Sequence, residues 1–143
     1  MLLHGTPGEG EYWKKWLSEI HPVLAISTSR PGYGLSDRHH GRSVADDLAD
    51  QQAVLDHFNV KKFVSIGWSG GGPHSLNMTR DTRCVAAFTL AGVGEYGRAD
   101  LDFLAGMGPE NIDEFGEALK GEAAITDWMV RNATGLKTIT GDD

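Results

Sequence analysis

A short glycine-rich segment constrains the fold of this chain more than any other feature. Residues 67–72 read Gly-Trp-Ser-Gly-Gly-Gly, directly after the apolar segment Phe63–Ile66 and before a helical pattern over 73–80. This context predicts a sharp strand-to-helix turn with Ser69 at its apex and a positive φ at that residue. Neighbouring positions must be small because the strand and the helix approach each other there. Three residues meet this requirement: Gly67, Gly71 and Gly72.

Apolar and amphipathic segments alternate along the first two thirds of the chain. Strands are predicted at 1–3, Val23–Ile26, Phe63–Ile66 and Val85–Leu90, with helices over Glu11–Ile20, from the capping pair Ser43 and Asp46, and over 73–80. This alternation is typical of an α/β fold, with a short parallel sheet and helices on both faces. From about Gly94 the pattern changes to three short acidic helices. We therefore predict an α/β core over residues 1–93 and an acidic helical cap segment over 94–143.

Composition excludes several classes of function. The formal charge is −7, which disfavours a nucleic-acid groove. The charge is uneven, since residues 1–93 hold nine acidic and nine basic side chains, whereas 94–143 hold eleven and four. The single cysteine, Cys84, argues against a disulfide or a zinc cluster. With no secretory signal and no apolar run near the ~18 residues of a membrane span, we expect a cytoplasmic protein with no membrane partner.

The pattern Gly-x-Ser-x-Gly at 67–71 predicts a nucleophilic serine, Ser69. A phosphate-binding turn is the alternative, but the segment lacks the lysine and hydroxyl residue of a P-loop. The N–H of Gly70, at the start of the helix, is placed to stabilise a developing oxyanion. A second donor is expected from a loop after a neighbouring strand, and the N–H of Thr6 is the candidate. Trp68, beside the nucleophile, is a candidate lining residue of an acyl pocket.

Three segments, at residues 4–8, 29–37 and 67–74, together resemble the α/β-hydrolase superfamily. Residues 91–108 resemble the start of the helical cap of its bacterial members. The resemblance implies four strands in the spatial order 4-3-5-6 of the family sheet. It also implies a serine hydrolase without metal or organic cofactor, which cleaves a small-molecule ester or amide, most often a carboxylic ester, through an acyl-enzyme. Proline aminopeptidase and lactonase activities are compatible with the same residues, and a non-catalytic remnant is the alternative from another class.

The usual triad histidine and acid are missing from their places in the family order. Both follow the nucleophile in the family, whereas no histidine follows His74 here, and we expect a chain truncated at both ends. His39 and His40 are the candidate bases, because their loop leaves a strand at the catalytic edge. Acid candidates are Glu95, Asp100 and Asp102. The uncovered sheet edges of such a chain lead us to expect a homodimer.

Overall fold

The computed structural model describes residues 1–19 and 22–139. Its four strands are β1 (Leu2–Leu3), β2 (Ser27–Thr28), β3 (Phe63–Trp68) and β4 (Cys84–Leu90). They form one sheet in the order β2-β1-β3-β4, and every pair is parallel. The predicted α/β class and the strand order 4-3-5-6 are confirmed.

Five α-helices accompany the strands in the described part of the chain. They are α1 (Lys14–Glu19), α2 (Asp47–His57), α3 (Gly72–Asn77), α4 (Pro109–Lys120) and α5 (Glu122–Ile139). Short 3₁₀ turns lead into α1 at Gly10–Trp13 and into α3 at Ser69–Gly71, and a third, Met78–Arg80, follows α3. Ser43 and Asp46 bond to each other as predicted, because the backbone N–H and hydroxyl of Ser43 both donate to Asp46 Oδ2 at 2.7 Å. These bonds lower the pKa of the Asp46 carboxyl. The two residues do not cap α2 directly, since the helix begins at Asp47 and its N-cap residue, Asp46, makes no side-chain cap bond.

Two predicted elements are wrong. The strand placed over Val23–Ile26 lies instead at Ser27–Thr28, where Leu2 pairs with Ser27. Val23 and Leu24 are 62% and 64% exposed, so the apolar run marks the approach to the strand rather than the strand. The first of the three acidic helices, around residues 101–104, is a set of turns, and only α4 and α5 are helical in that region. The end of the predicted helix over Glu11–Ile20 lies outside the described residues.

The core lies between one face of the sheet and helices α2 and α3. It is formed by Leu3, Ile26, Leu55, Phe63 and Met78. Along β3 the buried and exposed residues alternate, because successive strand residues point to opposite faces. On the second face, Val64 and Phe88 remain 37% and 54% exposed. Strand β4 is a sheet edge, and the homodimer expected from such an edge stays a prediction.

The chain divides into two compact units, Met1–Glu95 and Tyr96–Asp143. In the second unit, Phe103 stacks edge-on against both Tyr96 and Phe115. The indole N–H of Trp128 donates to Asp113 Oδ2 at 2.6 Å, which joins α5 to α4. None of the helices described has the length and apolar character needed to cross a bilayer.

Candidate active site

Ser69 occupies the turn between β3 and α3 with φ +49°. The positive φ expected from the sequence is therefore present, and a non-glycine residue held in this region stores backbone strain. The turn packs directly against the end of β1, since a Cβ atom built on Gly71 would meet the carbonyl oxygens of Leu3 and, at 2.6 Å, His4. A Cβ on Gly67 would collide with the Gly71 backbone. Glycine at both positions is what lets the strand and the helix meet behind Ser69.

The loop that follows β1 lies against this turn. A Cβ built on Gly5 would lie 3.3 Å from the Ser69 Cβ, and one built on Gly70 would lie 3.4 Å from the Thr6 nitrogen. Gly70 is the second residue of a helical segment, where backbone N–H groups have no intrahelical acceptor. The two candidate oxyanion donors, Thr6 and Gly70, are thus adjacent to each other and to the serine.

The His4 ring is fixed inside the same loop. It is 1% exposed, and its Nδ1 donates to the Gly5 carbonyl at 2.7 Å while its Nε2 accepts the Arg30 backbone N–H at 3.0 Å. Burial and the nearby Arg30 cation lower the pKa of His4 to about 4. With both nitrogens engaged and the ring neutral, His4 supports the loop and is not a proton acceptor for Ser69.

The lowered pKa of His4 predicts a pH-dependent stability. Between its ordinary pKa of 6.5 and its folded value of about 4, the unfolded chain binds a proton that the folded chain does not, so stability falls as pH falls. We expect a loss on the order of 2 kcal/mol between pH 6.5 and about pH 5, measured by urea unfolding. The His4→Gln variant should be less stable at pH 7 but lose less of its stability over this interval.

The exposed His57, in the last turn of α2, provides the matched control. His57→Gln should keep the pH dependence of the parent. A parent-like slope in His4→Gln would contradict the assignment to His4.

None of the other described histidines forms a hydrogen bond with the Ser69 hydroxyl. His74 is buried on α3, where its Nδ1 pairs with Asp47 Oδ2 at 2.8 Å. His39 and His40 are exposed in the loop before α2, and the charge of His39 helps to lower the pKa of Asp46. No histidine in the described part of the chain hydrogen-bonds Ser69, and the role of His39 or His40 as base stays a prediction.

Sequence analysis missed a buried polar chain beneath the site. Thr28 donates to Gln51, Gln51 donates to Asp47 Oδ1 at 3.1 Å, and Asp47 pairs with His74. Burial opposes ionisation of Asp47, but the hydrogen bonds from His74 and Gln51 outweigh it and lower the pKa of the carboxyl. The only sequence signal was the spacing of Asp47 and Gln51, one helical turn apart on α2.

The three acid candidates do not all belong to the same compact unit of the chain. Glu95 closes the first unit and is exposed, whereas Asp100 and Asp102 belong to the second. Asp100 accepts two hydrogen bonds from Arg98, at 2.8 and 2.7 Å, and these lower its pKa. Their predicted role as the triad acid is not tested by these contacts.

Trp68 lies on the sheet face opposite α3 and lines a groove of about 680 Å³. The aromatic residues that share this groove are Tyr12, Trp13 and Trp16. The helical segment that begins at Gly10 therefore shares this groove with Trp68, while Trp68 itself stays 47% exposed. Within the described residues, no group of three or more His, Cys, Asp or Glu side chains is arranged to hold a metal ion.

Residues 1–132 match the family model described as alpha/beta hydrolase fold. The chain belongs to the α/β-hydrolase family. Over 73 residues, this α/β hydrolase is 34% identical to a pimeloyl-[acyl-carrier protein] methyl ester esterase of Vibrio parahaemolyticus, an alignment that covers 50% of this chain and 27% of that protein.

Among solved structures, the α/β hydrolase resembles a hypothetical protein of Pseudomonas aeruginosa PAO1 with a TM-score of 0.56. The two are 22% identical, and the match covers 92% of this chain and 44% of that one. At this identity the likeness concerns the fold alone. The chain spans about a quarter of the length of the esterase and under half of the length of the solved structure.

Proposed function

We propose that this α/β hydrolase is a serine hydrolase that cleaves carboxylic esters through an acyl-enzyme on Ser69. The observation that carries the proposal is the strained serine, with φ +49°, at a glycine-walled turn that adjoins the loop of residues 4–6. Ser69 is only partly buried, and backbone strain at such a nucleophile is typical of sites where the hydroxyl must be presented to a substrate.

The chemistry follows from this placement. Ser69 Oγ would bond to the ester carbonyl carbon as its proton passes to a base, and the carbonyl oxygen would become an oxyanion between the N–H groups of Thr6 and Gly70. Collapse of this intermediate breaks the bond to the alcohol oxygen, which leaves with a proton. Water then attacks the acyl-enzyme and releases the acid. His39 or His40 is our candidate for the base.

Two features support an ester of an apolar acid. The partly matching relative carries the name of a methyl ester esterase, which favours an ester over an amide. Trp68, the residue before Ser69, lines a groove with three further aromatic side chains, and this aromatic surface suits an acyl chain, although the groove is also lined by His4, Lys15 and Glu19. We propose short to medium acyl esters as the substrate class.

A fluorophosphonate probe tests the proposal, because phosphonylation needs a nucleophilic serine and not a particular substrate. We expect the probe to label the parent chain at Ser69, identified by peptide mass spectrometry. The Ser69→Ala variant should lose all labelling, while its circular dichroism spectrum stays that of the parent.

A matched control is the Ser75→Ala variant, since the Ser75 hydroxyl is buried and hydrogen-bonded to Ser65. It should retain labelling. A folded parent that the probe does not modify would refute the serine hydrolase and favour the non-catalytic remnant. Equal labelling of the parent and Ser69→Ala would place the nucleophile elsewhere.

A further inference from the structure

We propose that Arg30 is a positioning residue for the oxyanion loop, defined as residues 4–6. Its buried guanidinium would hold the peptide between Gly5 and Thr6 in the orientation that directs the Thr6 N–H toward the oxyanion. The inference rests on the proposed serine hydrolase function, and it assigns a role to a residue that does not touch the reacting atoms.

One arginine bonds three successive residues of this loop. Nη1 donates to the His4 carbonyl oxygen, and Nη2 donates to the Gly5 carbonyl oxygen at 3.0 Å and to Thr6 Oγ1 at 3.3 Å. The Arg30 backbone N–H adds a bond to the His4 ring. Because Arg30 is only 1% exposed, bulk water does not compete for these bonds.

The planar peptide links these contacts to the candidate donor. The Gly5 carbonyl and the Thr6 N–H belong to one peptide unit and point in opposite directions. Two donors, Arg30 Nη2 and His4 Nδ1, hold the Gly5 oxygen. Fixing that oxygen therefore fixes the direction of the Thr6 N–H on the other side of the unit, and the Thr6 nitrogen lies next to Gly70.

The environment of the Arg30 guanidinium restricts it to these contacts. Burial lowers the pKa of Arg30, which shows the cost of placing the cation here, and its Nε is buried without a hydrogen-bond partner among the described residues. The guanidinium also lies over the Tyr33 ring, 5.3 Å from the centroid. A lysine could retain the charge but could not reach two carbonyl oxygens with a planar fork.

The test measures fluorophosphonate labelling at several probe concentrations, which separates the maximal rate of phosphonylation, kinact, from the probe affinity, KI. For Arg30→Met we expect kinact to fall by about 10- to 100-fold, because a misplaced donor costs this much, with KI within about twofold of the parent. Arg30→Lys should recover part of kinact. Arg80→Met removes an exposed arginine and should match the parent in both constants.

Each outcome decides the question. A parent-like kinact in folded Arg30→Met would overturn the positioning role while leaving the hydrolase proposal intact. If circular dichroism shows that Arg30→Met does not fold, Arg30→Lys decides alone, and an unchanged kinact in that variant overturns the role. A drop in kinact matched by an equal change in KI would indicate general damage to the site and also overturns it. A parent chain that is not labelled overturns both proposals.

Discussion

Replacing Gly71 with valine is expected to lower the free energy of unfolding of the first unit strongly. A Cβ at this position would collide with the Leu3 and His4 carbonyl oxygens, which are backbone atoms of β1 and its loop and cannot rotate away as a side chain would. We expect the free energy of unfolding to fall by about 3 kcal/mol or more, a large part of the stability of a domain this size. Urea unfolding followed by circular dichroism measures the change.

The control is Gly116→Ala. Gly116 lies within α4, and a Cβ built there meets no heavy atom within 4 Å. Because alanine is favoured over glycine inside a helix by up to about 1 kcal/mol, this variant should be as stable as the parent or slightly more so. A Gly71→Val chain that unfolds at the parental urea concentration would show that the turn is not packed against β1 as described.

Replacing Ser69 with glycine is expected to raise stability and abolish labelling together. Glycine adopts a φ of +49° without the steric penalty of a Cβ atom, and relief of such strain is worth about 1 kcal/mol. The melting temperature of Ser69→Gly should therefore exceed that of the parent, while the fluorophosphonate no longer reacts.

Ser69→Ala separates the two effects. Alanine also lacks the hydroxyl, but it keeps the Cβ and hence the strain, so its melting temperature should stay below that of Ser69→Gly. Equal melting temperatures for the two variants would mean that the positive φ carries no cost. The difference between the two melting temperatures therefore measures how much stability the strained backbone at the nucleophile costs the protein.

Local sequence was enough to predict the turn at Ser69 because its determinants lie within six residues. A strand, a serine and three glycines in this order admit few backbone paths, and the parallel sheet follows from the alternation of strands and helices. The position of β2 could not be predicted in the same way. Hydropathy favours Val23–Ile26, but the paired residues, Ser27 and Thr28, are fixed by their register with β1.

The polar contacts around the site were also beyond sequence analysis. Asp47 and His74 are far apart in the chain and meet only because α2 and α3 pack on the same sheet face. The bonds from Arg30 to His4 and Gly5 likewise require β1 and the loop after β2 to be neighbours. Such long-range pairs leave no periodic signal. Only a tertiary arrangement can place a buried cation against two carbonyl oxygens.

The central position of β1 has a consequence for how the molecule folds. Leu2 pairs on one side with Ser27 and on the other with Ile66, so the ladder closes only after long stretches of chain have been ordered. Contacts of this kind give a high contact order, and their loop-closure entropy slows the search for the native state. Because the carbonyl oxygens that pack on Gly71 come from this strand and its loop, the geometry around Ser69 cannot precede the pairing of β1. The reactive serine should therefore be among the late products of folding rather than part of its nucleus.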